Sequence, residues 1–500
     1  MNLLEREVNL IRFDEGGGGG PIHELGSGEI THQIEWVYSN LRDESDRARY
    51  DAAIEKAVIP SIGEANVVAE QIESEQYRKI RNRMESLGSS NVEMAMVGCI
   101  DGRLYSVLQV FPRLTSFLKT PAGLVGGVRA LVGRVGRRVL PPRIYESIRQ
   151  RVKKGKTFIE VLSAHGSNHR GHGCGAHKAM YPDRVGIDLD GGIKHDLTRP
   201  ERDNTRRLFK DNVLAIDAFI NTDTQGIVLF GEGMITRIAG EEDCFVTQEY
   251  VQQEHLNKAL FSTADFVKGH RETLSSLSDG LGKVDWDKPE NLVSNLDRIV
   301  SLAERIDMSN LGREIEEHLG RMFGPSEFTP DVRRELKSHL MYNIAVIHLS
   351  NFLDSQDSPA RYRDHSERFA VVGDKGFDFS PGTLPFLIST SEGDEIVQDN
   401  IRVMASLLPG ILEKQHGVSL ENEAMVVYIS APIFVGTTGK IDGETRGRVI
   451  ETLTRQYSLV ARTLAGLNMT QEDGKVLIVP VIVDQKTRRV MEIPDLSSYL

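Results

Sequence analysis

A chain of 500 residues and 55.7 kDa exceeds one ordinary core and implies about two to four domains, at roughly 100–200 residues each. Its net charge of −12 and pI near 5.7 argue against general nucleic-acid binding. No apolar run approaches the roughly 20 residues that span a bilayer. Cys99, Cys174 and Cys244 are its only cysteines. That set is too sparse for a disulfide scaffold and fits a reducing compartment, where a thiol with a role acts as a metal ligand or nucleophile.

The opening MNLLEREVNLIRFDE carries early acids and lacks the apolar core of a signal peptide, which leads to a cytoplasmic expectation. Gly16 to Gly20 followed by Pro21 reads as a flexible tether. Charge-dense stretches between 30 and 87 read as helices, with Gly88 as a stop. Residues 1–88 are therefore expected to form a tether and a small helical domain.

At Val92 the texture changes. VEMAMVGCIDGR, TFIEVLSAHGSN and NVLAIDAFINTDTQGIVLFG are short apolar runs that end in turns, as buried parallel strands do. Helical segments between them predict an α/β domain over 89–250 with a mostly parallel sheet and flanking helices. Ligands in such sheets sit at the carboxyl ends of the strands. Residues 129–156 hold ten Lys and Arg against one acid, Glu146, which reads as a solvated helical face.

NLVSNLDRIVSLAERI and ELKSHLMYNIAVIHLSNFL carry apolar residues at helical spacing, so 251–365 is expected to be a helical connecting region. The end of the chain then repeats the middle. ERFAVVGDKGF has the form of VEMAMVGCIDG, MVVYISAPI that of FIEVLSAHG, and KVLIVPVIVDQKTRRVM that of NVLAIDAFINTDTQGIV. Three ordered matches at similar spacing predict a duplicated domain over 366–500.

The chemistry concentrates at two strand ends. The first reads Cys99-Ile100-Asp101-Gly102-Arg103. The second places His165, His169, His172, Cys174 and His177 within 13 residues. Thiolates and imidazole are preferred zinc ligands, and two thiolates with one imidazole leave a tetrahedral position open, as catalytic zinc requires. Cys174 before Gly175 and Ala176 reads as a helix start, which favours the thiolate. Asp101 and Arg103 sit two apart on a turn, where a carboxylate and a guanidinium can pair.

These motifs resemble the β-class carbonic anhydrases, and more closely the carboxysome shell carbonic anhydrase family. Cys99-Ile-Asp-Gly-Arg103-Leu104 is similar to that family's Cys-Ala-Asp-Gly-Arg-Leu. His165-Gly-Ser-Asn168 matches its His-Gly-Ser-Asn, and Asn221-Thr222-Asp223-Thr224 is similar to its Asp-Thr-Asp-Thr turn. The resemblance implies Zn2+ on Cys99, His165 and Cys174, with Asp101 and Arg103 as a catalytic dyad. It implies hydration of CO2 to bicarbonate by a hydroxide generated at the zinc. It also implies a degenerate C-terminal repeat, a homodimer, and a carboxysome setting with shell or Rubisco association.

The chain departs from the pattern in two places. Ordinary β-class enzymes place the histidine three residues before the second cysteine, where this chain has Gly171, so His172 stands as the alternative to His165. The leader is brief and glycine-rich, whereas shell enzymes carry a longer one. In the repeat, Cys99, Asp101 and Arg103 correspond to Asp374, Gly376 and Asp378, His165 to Pro432, and Cys174 falls near Ile441. Every proposed ligand is lost there, so the repeat reads as structural. Two other functions share these features: the same zinc site hydrolysing a CO2 analogue such as COS or CS2, and a non-catalytic zinc scaffold.

Overall fold

The computed structural model describes residues 10–12, 23–25, 35–41, 43–97, 150, 152–166, 213–221, 224–230, 260–285, 288–323, 328–351, 353, 368–373, 386–388, 390, 393–433, 443–484 and 489–500. Contacts divide the chain into two units. One joins Met1–Ser74 to Arg363–Leu500, and the other is Glu75–Tyr362. A five-stranded sheet lies at the centre of each.

In chain order, a two-stranded ribbon of β1 (Leu10–Arg12) and β2 (His23–Leu25) precedes three helices, α1 (Glu44–Ala53), α2 (Ile59–Glu73) and α3 (Glu75–Leu87). The first sheet follows as β3 (Val92–Val97), β4 (Thr157–Gly166), β5 (Val213–Asn221), β6 (Ile227–Phe230) and β7 (Leu260–Ser262). Five helices come next: α4 (Thr263–Gly269), α5 (Arg271–Leu277), α6 (Leu292–Met308), α7 (Asn310–Met322) and α8 (Pro330–Leu349). The second sheet begins with β8 (Ala370–Gly373) and β9 (Phe386–Ile388). It continues, past helix α9 (Asp394–His416), with β10 (Met425–Ile433) and, past α10 (Gly443–Ala465), with β11 (Val476–Asp484) and β12 (Val490–Glu492). No described helix is long and apolar enough to cross a membrane.

In the unit of Glu75–Tyr362, β3, β4 and β5 run parallel, and β6 and β7 close the sheet antiparallel. The helices beside it start where the sequence supplies caps. Ser262 Oγ accepts from the Asp265 amide at the start of α4, and Thr329 Oγ1 from the Val332 amide ahead of Pro330 in α8. Leu292, Leu296, Ile299, Ala303 and Ile306 recur at three- and four-residue spacing and bury one face of α6.

In the other unit, β8, β9, β10 and β11 run parallel and β12 antiparallel. All nine residues of β11 are buried, the mark of a strand covered on both faces. Leu477, Val479, Val481 and Val483 alternate onto one face. They share a core with Tyr50, Ile54, Val58 and Ile62 from α1, α2 and the turn between them. Burying such side chains is worth about 1.5–3 kcal/mol each. Tyr428 on β10 reaches Ser61 Oγ at 2.6 Å, and burial pushes its phenol pKa up.

The contacts group the chain differently from the four segments expected in sequence. Helices α1 and α2 join the second sheet, whereas α3 belongs with the first. Helices α4 to α8, expected as a connecting region, pack within the unit of the first sheet. Amphipathic spacing identifies which face of a helix is buried but not what it is buried against.

Four strands of each sheet stand in the same order, β3-β4-β5-β6 and β8-β10-β11-β12, while the fifth lies at opposite edges, β7 beside β6 and β9 beside β8. Val97 pairs with Leu162 on β3 and β4, and their matched residues Val372 and Ile429 pair on β8 and β10. Phe158 pairs with Val213, and Met425 with Val476. Ile220 pairs with Ile227, and Val483 with Val490. The Asn221 amide donates to the Gly226 carbonyl at 2.9 Å, and the Asp484 amide to the Arg489 carbonyl at 2.9 Å. A one-residue slip would put every side chain on the other face, so the registers agree at these pairs; the β11–β12 ladder then shifts by one residue, where Ile482 pairs with Glu492.

Backbone approach limits side-chain size at one strand end. A Cβ on Gly373 would run into the side chain and carbonyl of Ser430 on the neighbouring strand. Gly373→Ala is expected to cost about 1–3 kcal/mol through overpacking, read as a lower denaturant midpoint with unchanged slope. An unaltered midpoint would show that β8 and β10 separate there at no cost.

Candidate functional site

The three parallel strands of the first sheet deliver their carboxyl ends to one edge. β3 is described to Val97, in register with Leu162, and Cys99 follows two residues later in sequence. β4 continues to His165 and Gly166, which pair with Ile220 and Asn221 of β5. His165 thus lies near the end of the strand adjacent to β3, and Cys99 follows β3 in sequence.

Of the sequence-predicted site, only His165 is described, and its backbone lies near the end of β4. Cys99, Asp101, Arg103, His172 and Cys174 lie outside the described residues, as do His169, His177 and Cys244. Among the described residues no group of three His, Cys, Asp or Glu is placed to hold a metal. From the basic stretch, Lys153 and Lys154 are exposed at the entry to β4 and Lys156 is half-buried, and Arg129, Arg134, Arg137, Arg138, Arg143, Arg149 and Arg151 lie outside the described residues.

The hairpin beside His165 is built in detail. After β5 the chain turns through Asn221, Thr224, Gln225 and Gly226 into β6. The Thr224 amide donates to Asn221 Oδ1 at 3.0 Å, and the Gly226 amide to Thr224 Oγ1 at 3.2 Å. Gln225 has φ of 56°, a left-handed conformation that costs a non-glycine residue energy and needs outside support. Thr222 and Asp223 of the Asn-Thr-Asp-Thr turn lie outside the described residues.

That support comes from two buried side chains that the sequence reading did not single out. Asn343 of α8 donates through Nδ2 to the Gln225 carbonyl at 2.9 Å, and its Oδ1 accepts from the Ile227 amide at 3.2 Å. Thr263 at the start of α4 accepts from the same amide at 2.9 Å and lies 2.6 Å from Asn343 Oδ1. Asn343 is 1% exposed and Thr263 0%, so water does not substitute for either. An asparagine inside an otherwise apolar stretch, MYNIAVIHL, was the available signal, since a buried amide has to find partners.

In the second sheet, Pro432 pairs with Val483 at the register position that His165 holds against Ile220.

These observations define a mixed α/β chain with parallel strands and helices around them. Neither the protein-family models nor the curated proteins compared with the chain match it.

Proposed function

We propose that the chain is a zinc-dependent carbonic anhydrase, with a β-carbonic-anhydrase-like first domain and a degenerate second copy. The observation that carries the reading is the coupling of motif to topology. Cys-Ile-Asp-Gly-Arg begins two residues after Val97, the last residue of β3, and His165 is the penultimate residue of the adjacent parallel strand.

The donor set fits zinc by its chemistry, two thiols and an imidazole with one position left over. Cys99, His165 and Cys174 would hold the metal, with His172 as the alternative imidazole. Bound there, zinc would supply Lewis-acid activation of water, lowering its pKa from about 15.7 toward 7. Asp101 would accept a hydrogen bond from the nucleophile and orient it toward CO2. Arg103 would hold the Asp101 carboxylate through a charge-assisted pair and keep it off the metal.

Metal removal tests this reading. Prolonged chelation is expected to bring CO2 hydration to the rate in buffer, and added zinc to restore it. Hydration that survives removal of all metal would contradict it.

A further inference from the structure

Each sheet's hairpin is fastened by an asparagine from a helix that precedes the other sheet in sequence. In the first, the Ile227 amide donates to Asn343 Oδ1 of α8 at 3.2 Å. In the second, the Val490 amide donates to Asn66 Oδ1 of α2 at 3.2 Å. Ile227 and Val490 stand at matched positions, since each pairs with the matched residues Ile220 and Val483.

The helices match as well. Five residues before Asn66, Ser61 Oγ donates to the Val58 carbonyl at 3.1 Å, and five before Asn343, Ser338 Oγ donates to the Glu335 carbonyl at 2.7 Å. The repeat is therefore a helix plus a sheet, with the helices exchanged. α2 stands before the first sheet and fastens the second; α8 stands before the second sheet and fastens the first.

The two locks differ in one respect. Asn66 Nδ2 is buried and has no acceptor among the described residues. Asn343 Nδ2 grips the carbonyl of Gln225, the residue with left-handed backbone, and Asn343 Oδ1 is shared with Thr263. The more elaborate lock is on the sheet that carries His165. Asn343 holds β6 at Ile227, Ile227 pairs with Ile220, and Ile220 pairs with His165. Two strand spacings, about 10 Å, separate the lock from the backbone of the proposed ligand.

We propose that Asn343 is a positioning residue for the candidate zinc site, supplied by α8. This rests on the carbonic anhydrase reading. Asn343 touches neither metal nor substrate; it sets the hairpin that borders His165.

Asn66 provides a matched control, because Asn66→Ala removes the same amide contact from the hairpin without a site. Full-length zinc-loaded Asn343→Ala and Asn66→Ala are compared by unfolding midpoint, amide hydrogen exchange over 220–230, zinc content, and the pH profile of CO2 hydration. Asn343→Ala is expected to speed exchange over 220–230, lower kcat by about tenfold or more, as misplacement near a reacting centre does, and shift the pH profile. Zinc content should stay at the parent level. Asn66→Ala is expected to lower the midpoint comparably and leave exchange over 220–230, kcat and the pH profile at parent values.

If Asn343→Ala fails to fold, Asn343→Asp serves in its place. It keeps the acceptor for Ile227 and loses the donor to Gln225, and the same shifts are expected in smaller measure. Equal effects of the two positions on kcat, or an Asn343 variant with the parent's pH profile and exchange, would overturn the proposal alone. A parent chain that neither holds zinc nor hydrates CO2 would overturn the functional reading, and this proposal with it.

Discussion

Cys99→Ala and Cys174→Ala are each expected to empty the metal site, taking zinc from about one per chain to near zero. The proposed ligand set is Cys99, His165 and Cys174, and Pro432 stands in the second sheet at the register position that His165 holds in the first. Removing one thiolate leaves two ligands, too few for stable tetrahedral zinc in competition with a chelator. Cys244→Ala should leave the metal in place, because no histidine or cysteine accompanies Cys244 in sequence. His165→Ala should also empty the site, whereas His172→Ala should leave it filled. Elemental analysis of the purified variants decides these cases. The reverse result at the two histidines would move the ligand from the strand end to the following segment, and about two zinc ions per parent chain would show that the second copy binds metal as well.

Asp101→Asn is expected to lower kcat for CO2 hydration by about tenfold to a thousandfold with zinc retained. Asparagine keeps the size of the side chain but weakens the acceptor and presents an amide donor to the nucleophile. Positioned polar groups of this kind contribute rate on that scale. Arg103→Ala should also slow the reaction, because an unpaired Asp101 is free to take the open position itself. Both variants should unfold near the parent's midpoint, since neither side chain is proposed to hold the metal or the core. Stopped-flow hydration at matched zinc content measures the effect. An Asp101→Asn variant as fast as the parent would remove the dyad from the mechanism, and a non-catalytic zinc scaffold would then explain the motif better.

The strands were largely legible in the sequence. VEMAMV, FIEVLSAHG, MVVYISAPI and KVLIVPVIVD are continuous apolar runs of strand length, and each is a strand. The structure adds the register, in which Val97 pairs with Leu162 and the matched Val372 with Ile429. Helical spacing foretold α6 and α8 for the same reason, because local periodicity follows from which face must be buried.

What the sequence left hidden is tertiary. Nothing in the pattern of α2 says that Ile62 packs beside Tyr428 and Val479 of a sheet hundreds of residues away. For the same reason α1, α2 and α3 read together as one helical domain within residues 1–88. The helix matches were also missed, because Ser61 and Asn66 share only two polar residues with Ser338 and Asn343, and their equivalence shows in hydrogen bonds rather than in hydropathy. At the candidate site, sequence supplied the residue types and the fold supplies the strand ends. His165 and the hairpin from Asn221 to Ile227 are where the two meet.

The central claim is most directly tested by stopped-flow CO2 hydration on the purified full-length chain, with its zinc counted in the same sample. A chain carrying about one zinc should hydrate CO2 far faster than buffer and lose that activity on chelation. A chain that carries zinc and hydrates CO2 no faster than buffer would contradict the account.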